Sequence, residues 1–354
     1  MNAHMSANAR KDRGVGLVEI MVSIVIGMLL VLMIFQIYLV TEGQKRTITG
    51  SNDAQENAGY GLFLIGQELS VAGNIISAST TALSGCAMLR PIPVVIAAGA
   101  TTQDPDTITV LYGGSGSLSA PTTLLNSPAM NTSPPGALQV SGPVAYSPND
   151  LIAVVQGANC TLSTINAGGV TVAGSSGIAT LAHTLTATPG NNSTAAYGAT
   201  LAQLINLGQG DRFARTLYSV DTANSTLRSQ SLLPTAGATN NVASNVVNLK
   251  AQFGLDTDND GDVDTWQAAT GTWSSANLPL QAATAWQQIK AVRVAIVTRS
   301  DKRETDVVTA GPLGMFCSPS PCALSMALTT DQQHYRYRVM ETIVPLRNAV
   351  WNAP

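Results

Sequence analysis

The chain has 354 residues, of which 45% are hydrophobic and 11% charged, and its formal net charge is −3. That length allows one large domain or two small ones with an ample core. The share of charge is far below the ~25% usual in soluble domains; Ala, Gly, Ser, Thr and Asn take its place, which suits an extracytoplasmic surface protein. The few basic residues are mostly scattered, so nucleic acid finds no basic footprint and is excluded as a partner.

The first forty residues carry the strongest pattern. Arg10-Lys11-Asp12-Arg13-Gly14 is followed by Val15-Gly16-Leu17-Val18-Glu19 and then by an apolar run to Val40. The run is long enough to cross a bilayer. An ionised carboxylate is costly in hydrocarbon, so Glu19 reads as functional. A secretory signal peptide has a shorter apolar core and a small-residue cleavage site behind it. Here the run passes instead into Thr41-Glu42-Gly43-Gln44-Lys45-Arg46. Arg10, Lys11 and Arg13 ahead of the span predict a cytoplasmic N-terminus and an exported remainder. Lys45 and Arg46 weaken that asymmetry without reversing it.

This segment resembles the N-terminal signal of the type IV pilin and pseudopilin superfamily: a basic leader ending in Gly, a pattern close to Phe-Thr-Leu-Val-Glu, then a long apolar run. Gly14, Leu17, Val18 and Glu19 match, while Val15 stands for the usual Phe and Gly16 for the usual Thr or Ser. The resemblance implies that prepilin peptidase removes residues 1–14, that the new N-terminus at Val15 is N-methylated, and that Glu19, fifth in the mature chain, serves subunit assembly.

The spacing predicts one helix from Val15 to about Gly73, in two halves. Residues 15–40 are apolar all round, as a transmembrane segment requires. Residues 41–73 are amphipathic, with Tyr60, Leu64, Gln67 and Val71 near one stripe. Residues 74–354 read as a mostly β head. Strands are predicted over 106–112, 151–156, 212–220, 225–232, 242–255, 289–298 and 335–346, with a hairpin at Asp221-Thr222-Ala223-Asn224. The low-charge stretches 113–149 and 157–200 read as long loops or small inserted strands. The fold class is therefore α+β: a long N-terminal helix packed on a mostly antiparallel head with large insertions.

Cys86, Cys160, Cys317 and Cys322 make an even count in an exported chain, which suggests disulfides. Cys317 and Cys322 can close a small loop, leaving Cys86 with Cys160; a metal reading lacks the Cys-x-x-Cys spacing or a nearby His. Asp256-Thr257-Asp258-Asn259-Asp260-Gly261-Asp262-Val263-Asp264 places five aspartates in nine residues. Asp256, Asp258 and Asp260 at alternate positions, Gly261 for the turn, the Asp262 carbonyl and Asp264 follow the order of a calcium loop. Gln267 stands where an EF-hand has its bidentate Glu, and Asp301, Glu304 or Asp306 could complete the set. The expectation is a structural calcium ion held by loop 256–267. His183 and His334 read as surface residues, and no catalytic motif is present, so no enzyme is expected.

The order of the aspartate loop, Trp286, the strand around Val292–Val297, Tyr335-Arg336-Tyr337-Arg338 and Leu346-Arg347-Asn348 resembles PilW-type minor pilins. The resemblance implies assembly with other minor pilins, the major pilin and the inner-membrane pilus machinery. It also implies membrane insertion with a periplasmic head before assembly, and a place in the filament or its tip afterwards. A J-class pseudopilin of type II secretion and a tip adhesin are the alternatives it leaves open.

Overall fold

The computed structural model describes residues 16–74, 83, 86, 89–113, 120–130, 132–174, 177–186, 197–210, 213–233, 237–318 and 320–350. Gly14 and Val15 therefore lie outside the described residues. The chain divides into two compact units, Met1–Asn52 and Asp53–Pro354, and the boundary falls inside helix α1, Leu17–Val71. No proline interrupts that helix.

In the second unit, α1 buries Ala54, Ala58, Leu62, Ile65 and Leu69, a three-to-four residue spacing that makes one face, and Ala72 just past its end is buried too. This is not the expected stripe. Tyr60 is 51% and Val71 41% exposed, and Gln67 is exposed as well. Both faces of the segment carry apolar residues, so periodicity alone cannot say which is covered. The covered face is the one with small residues. A Cβ on Gly61 would stand 2.9 Å from Leu227 and 3.0 Å from Ile296, so glycine lets the helix approach the sheets closely.

The strands follow in chain order: β1 Val94–Ala97, β2 Thr107–Tyr112, β3 Thr122–Thr123, β4 Leu138–Ser141, β5 Asp150–Gln156, β6 Asn159–Val172, β7 Ile178–Leu185 and β8 Gln203–Gln209. Then come β9 Ala214–Asp221, β10 Thr226–Leu233, β11 Thr239–Ser244, β12 Val246–Leu255, β13 Thr265–Ala268, β14 Ile289–Arg299, β15 Leu313–Met315, β16 Leu324–Met326 and β17 Tyr337–Pro345. One antiparallel sheet has the order β1-β2-β9-β10-β11 and another β13-β12-β14-β17. Ile65 and Leu69 of α1 share a core with Ile96, Ile108, Tyr218 and Leu227 of the first sheet and Leu249, Phe253, Val292 and Ile296 of the second. The β15–β16 hairpin covers the opposite face of β14 with Met315, Phe316 and Met326. The fold is α+β, an apolar N-terminal helix followed by a head of antiparallel sheets.

The strand expected over 242–255 is two strands in two sheets. The chain breaks at Asn245, whose φ of 59° lies in the left-handed region that asparagine tolerates. β11 ends the first sheet, and β12 lies inside the second.

The insertion between β2 and β9 is more ordered than its composition suggests. The stretches 113–149 and 157–200, expected as long loops or small inserted strands, contribute β3, β4, β6 and β7, which join β5 and β8 in one six-stranded antiparallel sheet in the order β3-β8-β5-β6-β7-β4. A bridge between Leu124 and Val140, with the Leu125 N–H donating to the Gln139 carbonyl, joins its first and last strands and closes a barrel. Its interior holds Leu124, Leu138, Val140, Ile152, Val154, Leu181 and Leu204. The outer faces of β5 and β8 pack Leu151, Val155, Ile205 and Leu207 against Leu83, Leu89, Leu111 and Phe213. The barrel is thus inserted in the connection between β2 and β9. Gly, Asn and Ala obscure its strands because they carry a weak β signal.

Candidate functional site

Two regions carry the chemistry that the sequence singles out. The first is the start of α1. Leu17–Leu39 is 23 residues long with a mean hydropathy of 2.8, and none of it is buried by the rest of the protein. An apolar surface of that size needs lipid or other protein around it. Glu19 lies in the first helical turn, where the helix dipole favours an anion. Its backbone carbonyl accepts the Ser23 hydroxyl at 2.7 Å.

The second region is the turn between β12 and β13. The apolar β12 delivers Asp256 to the bottom of the turn, fully buried. There its Oδ1 accepts the Asn259 N–H at 2.6 Å and its Oδ2 the Gly261 N–H at 3.0 Å. Gly261 has a φ of 98°, which only glycine adopts readily. The Asp258 and Asp260 carboxylates accept the amides two residues on, at 3.2 Å and 2.9 Å, so the loop is wound around its own acids. Carboxylate oxygens of Asp256, Asp258 and Asp260 lie within 4.8 Å of one another.

The remaining aspartates stand apart from that group. Asp264 Oδ2 is turned to Thr257, accepting its N–H and hydroxyl at 2.7 Å each, and these bonds hold its carboxyl below the usual range. Asp262 is not among the converging carboxylates. Glu304 pairs with Arg336 at 2.5 Å, and neither Asp301 nor Asp306 joins the three. The Asp260 amide lowers the Asp258 carboxyl, but desolvation and the charges of Asp260, Asp264 and Asp256 raise it by more.

Sequence reasoning missed the cations behind the loop. Lys290, 4% exposed, places Nζ 3.5 Å from Asp256 Oδ2. Buried carboxylates need such a partner. Arg293 lies three residues on, between the rings of Trp266 at 4.9 Å and Phe316 at 4.5 Å, and its Nε donates to Gln252 Oε1 at 2.8 Å. It joins β13 to the β15–β16 hairpin across the sheet. The only signal was two basic residues inside an otherwise apolar strand.

The cysteines pair as Cys86–Cys160 and Cys317–Cys322. The first bond anchors the segment before β1 to β6 of the barrel. His183 is not a surface residue: it is 2% exposed inside the barrel, with Nε2 at 3.1 Å from the Gly136 carbonyl. The alternation of β7 places Ala179, Leu181 and His183 inward. His334 is half-buried, with Nδ1 at 3.1 Å from the Asp306 carbonyl.

Comparison with known proteins adds two family matches. Residues 211–348 match the Type IV Pilus-assembly protein W family and residues 9–35 the Prokaryotic N-terminal methylation motif. The barrel, residues 120–210, falls outside both. No curated protein matches the chain significantly. Among solved structures, the Type IV-like pilin TTHA1219 from Thermus thermophilus aligns over 83% of this chain and 96% of its own, at 10% identity and a TM-score of 0.34.

Proposed function

We propose that this PilW-type minor pilin of the type IV pilus primes the filament together with other minor pilins and takes a place in its tip complex. The observation that carries the reading is the exposed apolar helix Leu17–Leu39 with Glu19 in its first turn, lying within the matched methylation motif. The motif implies processing by prepilin peptidase, and the cut falls after Gly14. Residues 15–40 then hold the chain in the inner membrane, with the head in the periplasm. On assembly, the Glu19 carboxylate pairs with the free amine of Val15 in a neighbouring subunit. In an apolar filament core each charge is costly alone and compensated together, which fixes the axial register. The family is one of structural pilins, not known enzymes.

Glu19→Ala is expected to leave processing intact, with mass spectrometry still finding a mature chain that starts at Val15, and to impair piliation counted by microscopy. Wild-type piliation by that variant would sink the pairing role.

A second proposal concerns the aspartate loop. Asp256, Asp258 and Asp260 converge, and the mutual repulsion that raises Asp258 is what a hard cation relieves, so the loop takes calcium as a structural ion. Lys290 already balances part of the Asp256 charge, which leaves Asp258 and Asp260 as the groups most in need of the ion. Calcium that binds only the folded chain must raise its melting temperature. Millimolar calcium is expected to raise the melting temperature of the full chain in detergent, and Asp258→Asn with Asp260→Asn to abolish the shift. An equal shift in the double variant, or none in either, ends this proposal.

A further inference from the structure

The flank of α1 that faces the first sheet is not wholly apolar. Glu68 precedes the fully buried Leu69, so its side chain is carried to the edge of the shared core. Alternation along β2 and β9 puts Tyr112, Thr216 and Tyr218 on the same side as Ile108 and Val110, toward that core. The Tyr112 hydroxyl reaches Glu68 Oε1 at 3.5 Å, while Oε2 is shut off from solvent with no hydrogen-bond partner among the described residues. The Tyr218 and Thr216 hydroxyls stand close by, and Tyr60 of α1 is the other titratable group that acts on the cluster.

Among the described residues no cation acts on Glu68. Arg215 of β9 stands opposite Leu111, which packs toward the barrel, and Arg228 of β10, paired with Asp221, alternates with the buried Leu227. Both therefore point to the other side of the sheet. Strands β1, β2 and β11 hold no charged residue, and Arg212 lies outside the described residues. Desolvation is the largest influence on the Glu68 carboxyl and raises it above the ordinary range, against the smaller help of the three hydroxyls. A hydroxyl can donate or accept, so the same groups serve the protonated acid as well. The neutral acid needs no counter-ion, whereas the anion is left half-buried without one. Burial and the nearby Glu68 charge push the Tyr218 hydroxyl far up, so the tyrosine stays neutral and Glu68 is the group that titrates.

We propose that Glu68 is a proton-operated latch: protonated, it seats the second half of α1 on the first sheet, and ionised, it loosens that seat. The folded carboxyl keeps its proton to a higher pH than the unfolded one. The added stability is therefore complete below the ordinary glutamate value near 4.3 and is lost as pH rises through the raised folded value. Buried His183 titrates with the opposite sign, so acid tightens the seat of the helix while it weakens the barrel. The latch depends on neither the priming role nor the calcium loop.

The test follows hydrogen exchange of the full chain in detergent between about pH 4 and pH 7, with each amide corrected for its intrinsic exchange rate. The opening equilibrium of the amides at 62–71 is expected to grow with pH in the parent, by up to about tenfold per pH unit within the window. Glu68→Gln, neutral at every pH and able to keep the hydroxyl contacts, is expected to give a flat profile at those amides. Glu56→Gln, at an exposed acid of the same helix, is expected to behave as the parent. Tyr218→Phe removes a hydroxyl that favours the anion, so its rise is expected to extend to higher pH; this variant also reads the latch if Glu68→Gln does not fold. Rises of equal size in the parent and Glu68→Gln overturn the proposal, as does a parent profile that is flat or falls with pH. A Tyr218→Phe profile that coincides with the parent's overturns it as well.

Discussion

At the scale of single residues, the structure separates charges held for stability from those presented to a partner. Asp106 shows the first kind: it is 5% exposed, takes Lys250 Nζ at 2.9 Å, and accepts the Gly99 and Ala251 amides. Removing one member of such a pair strands the other, which costs about 3–5 kcal/mol. His183 is a buried group of opposite behaviour. Desolvation lowers its imidazole below the ordinary value, against the smaller effect of the Gly136 carbonyl. The folded barrel therefore prefers the neutral ring, and the unfolded chain takes up a proton first as pH falls. Stability is present above the ordinary histidine value near 6.5 and lost as pH drops from there toward the lowered folded value, by up to about 1.4 kcal/mol per pH unit for one proton. The opening equilibrium of the β6 and β7 amides, read from hydrogen exchange after correction for the intrinsic exchange rate at each pH, is expected to rise over that range in the parent. In His183→Gln, which stays neutral, the rise should be absent. A rise of equal size in the variant would place the effect on another group.

At the scale of elements, the barrel depends on its attachments. It is held by the two chain crossings between β2 and β9, by the packing of Leu83, Leu89, Leu111 and Phe213, and by Cys86–Cys160, with a sequence separation of 74. Closing a loop of that length lowers unfolded-state entropy by a few kcal/mol, typically about 2–4. Cys86→Ala with Cys160→Ala is expected to lose that much stability in urea denaturation. A loss near zero would show that packing alone holds the segment before β1. On α1 the covered face makes a parallel case: Leu69 is fully buried in the shared core, and Leu69→Ala should cost about 2–5 kcal/mol. Tyr60→Ala, on the exposed face, should cost far less. Equal losses would restore the stripe that periodicity suggested.

For the whole molecule, the division between Asn52 and Asp53 separates an apolar helical segment from the folded head. Every buried residue of the shared core begins at or beyond Ala58. A chain starting at Asp53 is therefore expected to be soluble without detergent and to keep both disulfides. Aggregation of that fragment would mean that residues before Asp53 contribute to the fold of the head.

The sequence by itself determined the local features. The apolar run to Val40 with Glu19 inside it, the paired cysteines and the aspartate spacing each depend on residues close in the chain or on counting. The strand at 289–298 was legible because its β-branched run is buried on both faces, and that at 335–346 because Val339, Thr342, Ile343 and Val344 favour a strand although most of its side chains are not buried. Tertiary structure decided what depends on partners distant in sequence. It turned the Ala54–Leu69 face of α1 inward instead of the Tyr60–Val71 stripe, because close approach to two sheets rewards small residues. It split 242–255 between two sheets at Asn245, and it set Lys290 behind Asp256. It also closed strands β3 to β8 into a barrel that buries His183, since closure and a shared core depend on strands far apart in the chain, which no short window of sequence contains.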